Sequence, residues 1–236
     1  MAQKLGMELD HVVAPIASSV KSVNMNQTSV DRDRGSVTPN STHRIYFAGA
    51  SGAIGRRLVP LLVDAGHTVG AMTRSAAKAG QLAAMGAQPI VCDVFDRAAL
   101  AGAVRSFAPD LVLHELTDLP DDLADLPEVS MLNARIRVEG TRNLLDAMEG
   151  SVATKIVAQS VAWTMAPGPE ADAVASLEQA VLAVDGVVLR YGFLYGPGTY
   201  FERELPAAPR VHIDSAAAAT LAALDASPGI LTIIDE

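Results

Sequence analysis

From Arg44 onward the chain alternates between two hydrophobic rhythms. Short, nearly continuous apolar runs are separated by longer stretches in which apolar residues recur every three or four positions. The runs are Arg44 to Ala48, Thr68 to Met72, Gln88 to Cys92, Asp110 to His114, Lys155 to Ser160, Val187 to Tyr191 and Ile230 to Ile234. Runs of this kind suit strands buried on both faces. The stretches between them predict helices over about 53–65, 76–85, 97–107, 130–148, 171–184 and 214–225. Gly66 and Gly86 are placed to end the first two helices, and Asp96 to cap the third. Pro60 predicts a kink or one lost hydrogen bond in the first. In the long helix that Ser130 starts, Met131, Ala134, Val138, Thr141, Leu145 and Met148 form one stripe, with Asn133 and Asn143 off it. Asp214 is the expected cap of the alanine-rich helix. Repeated βα units joined by right-handed crossovers give a parallel, doubly wound α/β sheet of about seven strands in the order 3-2-1-4-5-6-7, with helices on both faces.

Residues 1–43 contain no aromatic residue and, from Ser18, no clear periodicity. They read as an extension or leader, and 44–236 as one nucleotide-binding domain of the Rossmann type. Asp118 to Pro127, Ala166 to Pro169 and Pro206 to Pro209 read as loops.

The first strand runs into Gly49-Ala50-Ser51-Gly52-Ala53-Ile54-Gly55 and then a helix. Glycines lacking Cβ let such a turn approach a pyrophosphate, and the helix start offers free N–H groups and the positive end of its dipole. Gly49, Ser51, Gly52, Ala53, Ile54 and Gly55 are therefore candidate cofactor contacts. The end of the second strand carries Arg74 where an NAD-selective site usually places a carboxylate, and an arginine there can accept a 2′-phosphate. NADP(H) is the expected cofactor, with NAD as the alternative, and Arg56 or Arg57 can add to the phosphate pocket. Asp93, just after the third strand, is a candidate partner for the adenine amino group.

Composition narrows the classes. A net charge of −9 opposes binding to a nucleic-acid backbone. No apolar stretch is long enough for a membrane span, and Lys4, Glu8 and Asp10 interrupt any signal-like segment. A cytoplasmic protein acting on a small molecule is the expectation. Cys92, the single cysteine, reads as a small core residue, and the five histidines show no metal-binding spacing.

Several separated segments agree on a family. The glycine turn, Thr73-Arg74, Cys92-Asp93, Asn133 with Glu139-Gly140-Thr141-Arg142-Asn143-Leu144-Leu145, Ser160, Leu189 through Gly198, and Val211-His212-Ile213-Asp214 together resemble the NAD-dependent epimerase/dehydratase branch of the short-chain dehydrogenase/reductase superfamily. The resemblance runs from Arg44 to Glu236. It implies that Val94, Leu116 and Arg190 join the cofactor contacts, that Ser160 orients a substrate carbonyl or hydroxyl, and that a homodimer pairs through the helices after strands four and five.

The resemblance also implies a Tyr-x-x-x-Lys motif after Ser160. Between Ser160 and Gly186 the sequence has neither Tyr nor Lys, and Glu170 and Val174 stand near the two positions. His114, Glu115, Tyr191 and Tyr195 are the candidate substitutes for proton handling, with His114 and Tyr195 carried forward beside Ser160 as catalytic candidates. Glu170 and Glu178 read as a solvated acidic face. Only Thr199 to Arg210 separates the glycine-proline turn from Val211, so the substrate lobe is expected to be reduced or absent. These features support an oxidoreductase or epimerase/dehydratase-like enzyme acting on a small carbonyl, hydroxyl or sugar-type substrate. A cofactor-binding sensor or scaffold without chemistry, and a non-redox lyase or cyclase, are the alternatives.

Overall fold

The protein is described by a computed structural model covering residues 42–118 and 126–235. Residues 1–41 of the extension expected at 1–43, and most of the loop expected after Asp118, lie outside the described residues. The first half runs β1 (Arg44–Ala48), α1 (Gly55–Asp64), β2 (Thr68–Thr73), α2 (Ala76–Ala84), β3 (Gln88–Val91), α3 (Arg97–Phe107) and β4 (Leu111–His114). The second runs α4 (Leu126–Arg135), a π-helical segment (Ile136–Gly140), α5 (Thr141–Glu149), β5 (Lys155–Val161), α6 (Pro169–Leu182), β6 (Val187–Tyr191), β7 (Phe193–Tyr195), β8 (Arg210–His212), α7 (Ile213–Ala222) and β9 (Gly229–Ile233).

Seven strands form one parallel sheet in the order β3-β2-β1-β4-β5-β6-β9, the expected doubly wound order with β9 as the seventh strand, and β7 and β8 make a separate two-stranded pair. Strand alternation sends Ile45 and Phe47 to one face and Tyr46 and Ala48 to the other. The first face is covered by Leu58, Val59 and Leu62 of α1, Leu82 of α2, and Ile213, Ala216 and Ala217 of α7. The second is covered by α3, α5 and α6 through Leu100, Val104, Leu144, Leu177 and Val181. Cys92 is buried in that second layer, as a core residue would be.

Helix ends follow local chemistry. The Ala99 amide donates to Asp96 Oδ1 at 3.0 Å, so Asp96 caps α3 as expected. Pro60 lies inside α1 without ending it. Asp214 does not cap α7; its amide donates to the ring of His212, and its own carboxylate accepts from Arg57 Nε at 2.8 Å.

The long helix departs from its expected stripe. It begins at Leu126, inside the segment expected to be a loop, and the π-helical turn at Ile136–Gly140 inserts an extra residue that rotates the helix face. Met131 and Val138 are consequently exposed, at 68% and 37%, whereas Asn133 and Asn143 are buried. Asn143 donates to the Val94 carbonyl at 2.9 Å, and Asn133 accepts from the Asp118 amide at 3.4 Å.

One buried polar chain ties β4, β6 and α7 together. The Tyr191 hydroxyl lies 3.0 Å from Glu115 Oε1 and 2.6 Å from Thr220 Oγ1, while Thr220 donates to the Ala216 carbonyl at 2.7 Å. Each hydroxyl has one hydrogen, and that of Thr220 is committed to Ala216. The Tyr191 hydrogen cannot serve both other contacts. All three are hydrogen bonds only if Glu115 is a carboxylic acid that supplies the third proton. Burial pushes its carboxyl up to about 8, and Oε2 is buried without a partner, as suits a neutral acid.

Because the folded value lies above the ordinary 4.5, the stability that this proton contributes is complete below about 4.5 and is lost as pH rises to about 8. Glu115→Gln keeps a neutral donor and removes the titration. Chemical denaturation across pH 5–7.5 should show wild type losing stability relative to the variant by about 1.4 kcal/mol per pH unit; a constant difference over that range would mean that Glu115 is ionised in the fold.

Candidate functional site

The carboxyl ends of the strands open into a cleft of about 1170 Å³. Its central wall is the turn between β1 and α1. Gly49 has φ +100°, and a Cβ there would stand 2.4 Å from the Glu115 carbonyl oxygen. At Gly55 a Cβ would stand 2.3 Å from the Ala50 carbonyl. Both positions require glycine for space, and Gly49 for conformation as well. The Gly52 amide closes the turn on the Gly49 carbonyl at 3.0 Å. Among the described residues, the amides of Ala53, Ile54 and Gly55 have no hydrogen-bond partner, and no acidic side chain stands in the first turn of α1. An electropositive, uncrowded cradle results, suited to a pyrophosphate. Gly49, Ser51, Gly52 and Ala53 line the cleft, while Ile54 is buried and anchors the helix start.

At one end the cleft is basic. Arg56, Arg74 and Lys78 line it beside Thr73 and Ser75. Arg74 Nη2 pairs with Asp118 Oδ1 at 2.8 Å, with the arginine side chain 48% exposed. A pair so open to water is worth about 0–1 kcal/mol and yields readily to a stronger anion. Arg57 turns away, to Asp214 and the Pro197 carbonyl. Asp93 is exposed and its Oδ1 accepts from the Phe95 amide, and Val94 is buried; neither lines the cleft, whereas Leu116 does.

The far end holds Ser160, which lines the cleft but is 6% exposed and donates to Glu178 Oε1 at 2.5 Å. Glu178 also accepts from Arg190 Nε at 2.8 Å and Nη2 at 2.5 Å. The cause is register: Ser160 and Arg190 are neighbours across the parallel β5–β6 pair, on the face that α6 covers. Glu178 is therefore buried rather than part of a solvated acidic face, and Arg190 is committed to it instead of lining the cleft. The carboxylate takes the serine's single proton, leaving Oγ free to accept but not to donate.

His114 and Tyr195 stand outside the cleft wall. His114 is fully buried; its Nδ1 accepts from the Leu116 amide at 3.3 Å, so Nε2 carries the proton, 3.0 Å from Thr141 Oγ1. Burial, aided by the nearby Arg137 charge, lowers the imidazole to about 4, so it stays neutral near pH 7. Tyr195 donates to Asp235 Oδ2 at 2.6 Å, a contact that raises the phenol, and does not line the cleft. Glu115 and Tyr191 reach the cleft floor as parts of the buried chain described above.

Two features of the far end were not foreseen from the sequence. Trp163 and Phe193 stack with centroids 4.2 Å apart and planes 11° apart, and Phe201 meets Phe193 edge-on at 6.2 Å; all three line the cleft. Arg137, in the π-helical turn, lines it as well. Trp163, the single tryptophan of the chain, stands three residues beyond Ser160, and that placement was the available signal. Arg137 had none, because the π turn alone aims it inward.

Among the described residues no group of three or more His, Cys, Asp or Glu side chains is placed to hold a metal, and no helix is long and apolar enough to cross a membrane. The glycine cradle, the free amides and the basic end fit a dinucleotide.

Comparison with known proteins agrees. Residues 49–183 match a protein family described as NAD(P)H-binding. A 3-diazoavenalumate denitrifying reductase from a Streptomyces species is 35% identical over 235 residues, an alignment covering 82% of this chain and 76% of that protein. In fold, the chain is similar to the Thermus thermophilus UDP-glucose 4-epimerase in complex with NAD, with TM-score 0.68 and 22% identity over 81% of this chain and 77% of the other. It is also similar to the Bordetella bronchiseptica enzyme WbmG in complex with NAD, with TM-score 0.67 and 19% identity over 84% and 74%. The chain belongs to the NAD(P)H-binding family.

Proposed function

We propose that the protein is an NADPH-dependent reductase of a small organic electrophile whose reduction needs no proton from the enzyme. The observation that carries this reading is the Ser160–Glu178–Arg190 clamp. In the resembled family a serine hydroxyl polarises a carbonyl while Tyr and Lys supply the proton. Here the hydroxyl proton is committed to a carboxylate, and Glu170 and Val174 stand near the Tyr and Lys positions. Ser160 can receive a hydrogen bond from a substrate, but it cannot donate one to a developing alkoxide.

When bound, the reduced nicotinamide supplies a hydride. The chain's own residues hold the pyrophosphate on the free amides at the start of α1 and neutralise the 2′-phosphate with Arg74 and Lys78. The neutral acid of Glu115 keeps negative charge out of the cleft floor. An acceptor whose reduction consumes no proton suits this equipment. An arenediazonium ion that takes up hydride at carbon forms a C–H bond and breaks its C–N bond, the bonding pair leaving with N₂, and no proton is consumed. The 35%-identical relative is named for a reductive removal of nitrogen from a diazo compound, which supports the same class here.

Turnover is tested by following nicotinamide absorbance with a benzenediazonium salt against a panel of aldehydes and ketones, each corrected for the protein-free rate. Catalysed consumption with the diazonium salt alone is expected, and Ser160→Ala should change its kcat by less than about 3-fold. Preferential reduction of a ketone, abolished in Ser160→Ala, would overturn the proposal. For the cofactor, Arg74→Ala should weaken NADPH binding by about 10-fold or more while moving NADH by less than about 2-fold; equal losses for both would remove Arg74 from 2′-phosphate recognition. Gly49→Ala should abolish binding of both, since its Cβ would displace either the turn or the Glu115 backbone.

A further inference from the structure

Arg137 is a half-buried guanidinium on the cleft wall that, among the described residues, makes no hydrogen bond and no ion pair. Burial lowers its pKa, and the charge of Glu170 only partly opposes that, without reaching contact. Among the described residues, the other titratable groups of the site make no ion pair with it. His114 is held neutral, Glu115 is an uncharged acid, and Glu178 is saturated by Arg190 and Ser160. A cation removed from water with no counterion is costly unless a ligand completes it. The cofactor's phosphates already have the glycine cradle and the Arg74 end. Beyond Ser160 the same cleft is lined by the stacked Trp163–Phe193 pair, with Phe201 edge-on to Phe193, an aromatic wall of the kind that packs against a ring.

We infer that the substrate is an aromatic carboxylate, its ring packed on the Trp163–Phe193 wall and its carboxylate paired with Arg137. The planar guanidinium fork matches a carboxylate in two parallel hydrogen bonds, which gives orientation as well as affinity. Anchoring the anionic end leaves the electrophilic position of the ring system free to be set against the cofactor. The inference rests on the reductase reading for calling the ligand a substrate, but its test is an equilibrium one, so failure of hydride transfer and failure of the anchor are separate results.

Trp163 is the chain's single tryptophan, so intrinsic fluorescence reports on this wall directly. The full-length protein, saturated with NADP⁺, is titrated with trans-cinnamate and with methyl cinnamate. The carboxylate is expected to quench Trp163 and to bind about 10- to 100-fold more tightly than the ester. Arg137→Gln should abolish that preference, bringing both ligands to the affinity of the ester, while NADPH affinity stays within about 2-fold of wild type; Arg137→Lys should restore part of the preference. Equal affinity of acid and ester in wild type overturns the proposal without any variant. A preference that survives Arg137→Gln also overturns it, as does a loss of NADPH affinity matching the loss of cinnamate, which would assign the guanidinium to the cofactor.

Discussion

The contact on which the site depends is backbone on backbone: the turn after β1 passes so close to the end of β4 that no side chain fits between Gly49 and the Glu115 carbonyl. Parallel pairing sets this approach, because Ala48 is in register with His114 and the Glu115 amide donates to the Ala48 carbonyl at 2.8 Å. The consequences run outward from there. The turn must be glycine, and α1 begins with its amides facing the cleft. Glu115, held against the turn, has its side chain directed into the sheet toward Tyr191 and Thr220. A carboxylate in that position would carry an unpaired charge beneath the pyrophosphate cradle. As a neutral acid it instead completes a run of hydrogen bonds from β4 through β6 to α7. Cofactor electrostatics and sheet cohesion are thus served by the same proton.

A second constraint separates this chain from the chemistry of the family it resembles. In a parallel sheet, residues paired across adjacent strands point to the same side, so Ser160 and Arg190 both meet whatever α6 places above them. Here that is Glu178, 8% exposed and clamped on three sides. Three polar groups that could have faced a ligand satisfy one another. What Ser160 offers the cleft is an acceptor oxygen, and the aromatic wall beyond it supplies shape rather than protons.

Much of the fold was legible because it follows from local pattern. Both-face burial makes the strands continuous apolar runs, the glycine turn carries its own steric reason, and Asp96 caps α3 through a contact three residues away. The seven-strand order follows from crossovers of one hand. Legibility ended where two distant segments had to be superposed. Glu178 looked like one of two acids on a helix; only the register of β5 on β6 shows that it faces Ser160 and Arg190. The stripe from Met131 to Met148 assumed a uniform period of 3.6, and the π turn at Ile136–Gly140 broke that assumption, exposing Met131 and Val138 and burying Asn133 and Asn143. The same turn brought Arg137 to the cleft, so one irregularity hid both a face of the helix and a candidate ligand group. His114 and Tyr195 were candidates by position at strand ends. The structure joins one to Thr141 and the other to Asp235, and neither lines the cleft.

The charges at the far end of the cleft constrain one another. An unneutralised guanidinium repels a cationic acceptor by about 2 kcal/mol at a separation of about 8 Å and an effective dielectric of 20. A site built for a cationic electrophile and lined by an unpaired arginine would therefore oppose its own substrate. The opposition disappears if the substrate carries its own anion to Arg137, because the pair then presents no net charge to the reacting end. The clamp of Glu178 with Arg190 contributes none either, and Glu115 is uncharged. On this reasoning a cationic acceptor and a carboxylate handle are coupled properties of one ligand. The arginine selects the substrate that removes the arginine's own penalty.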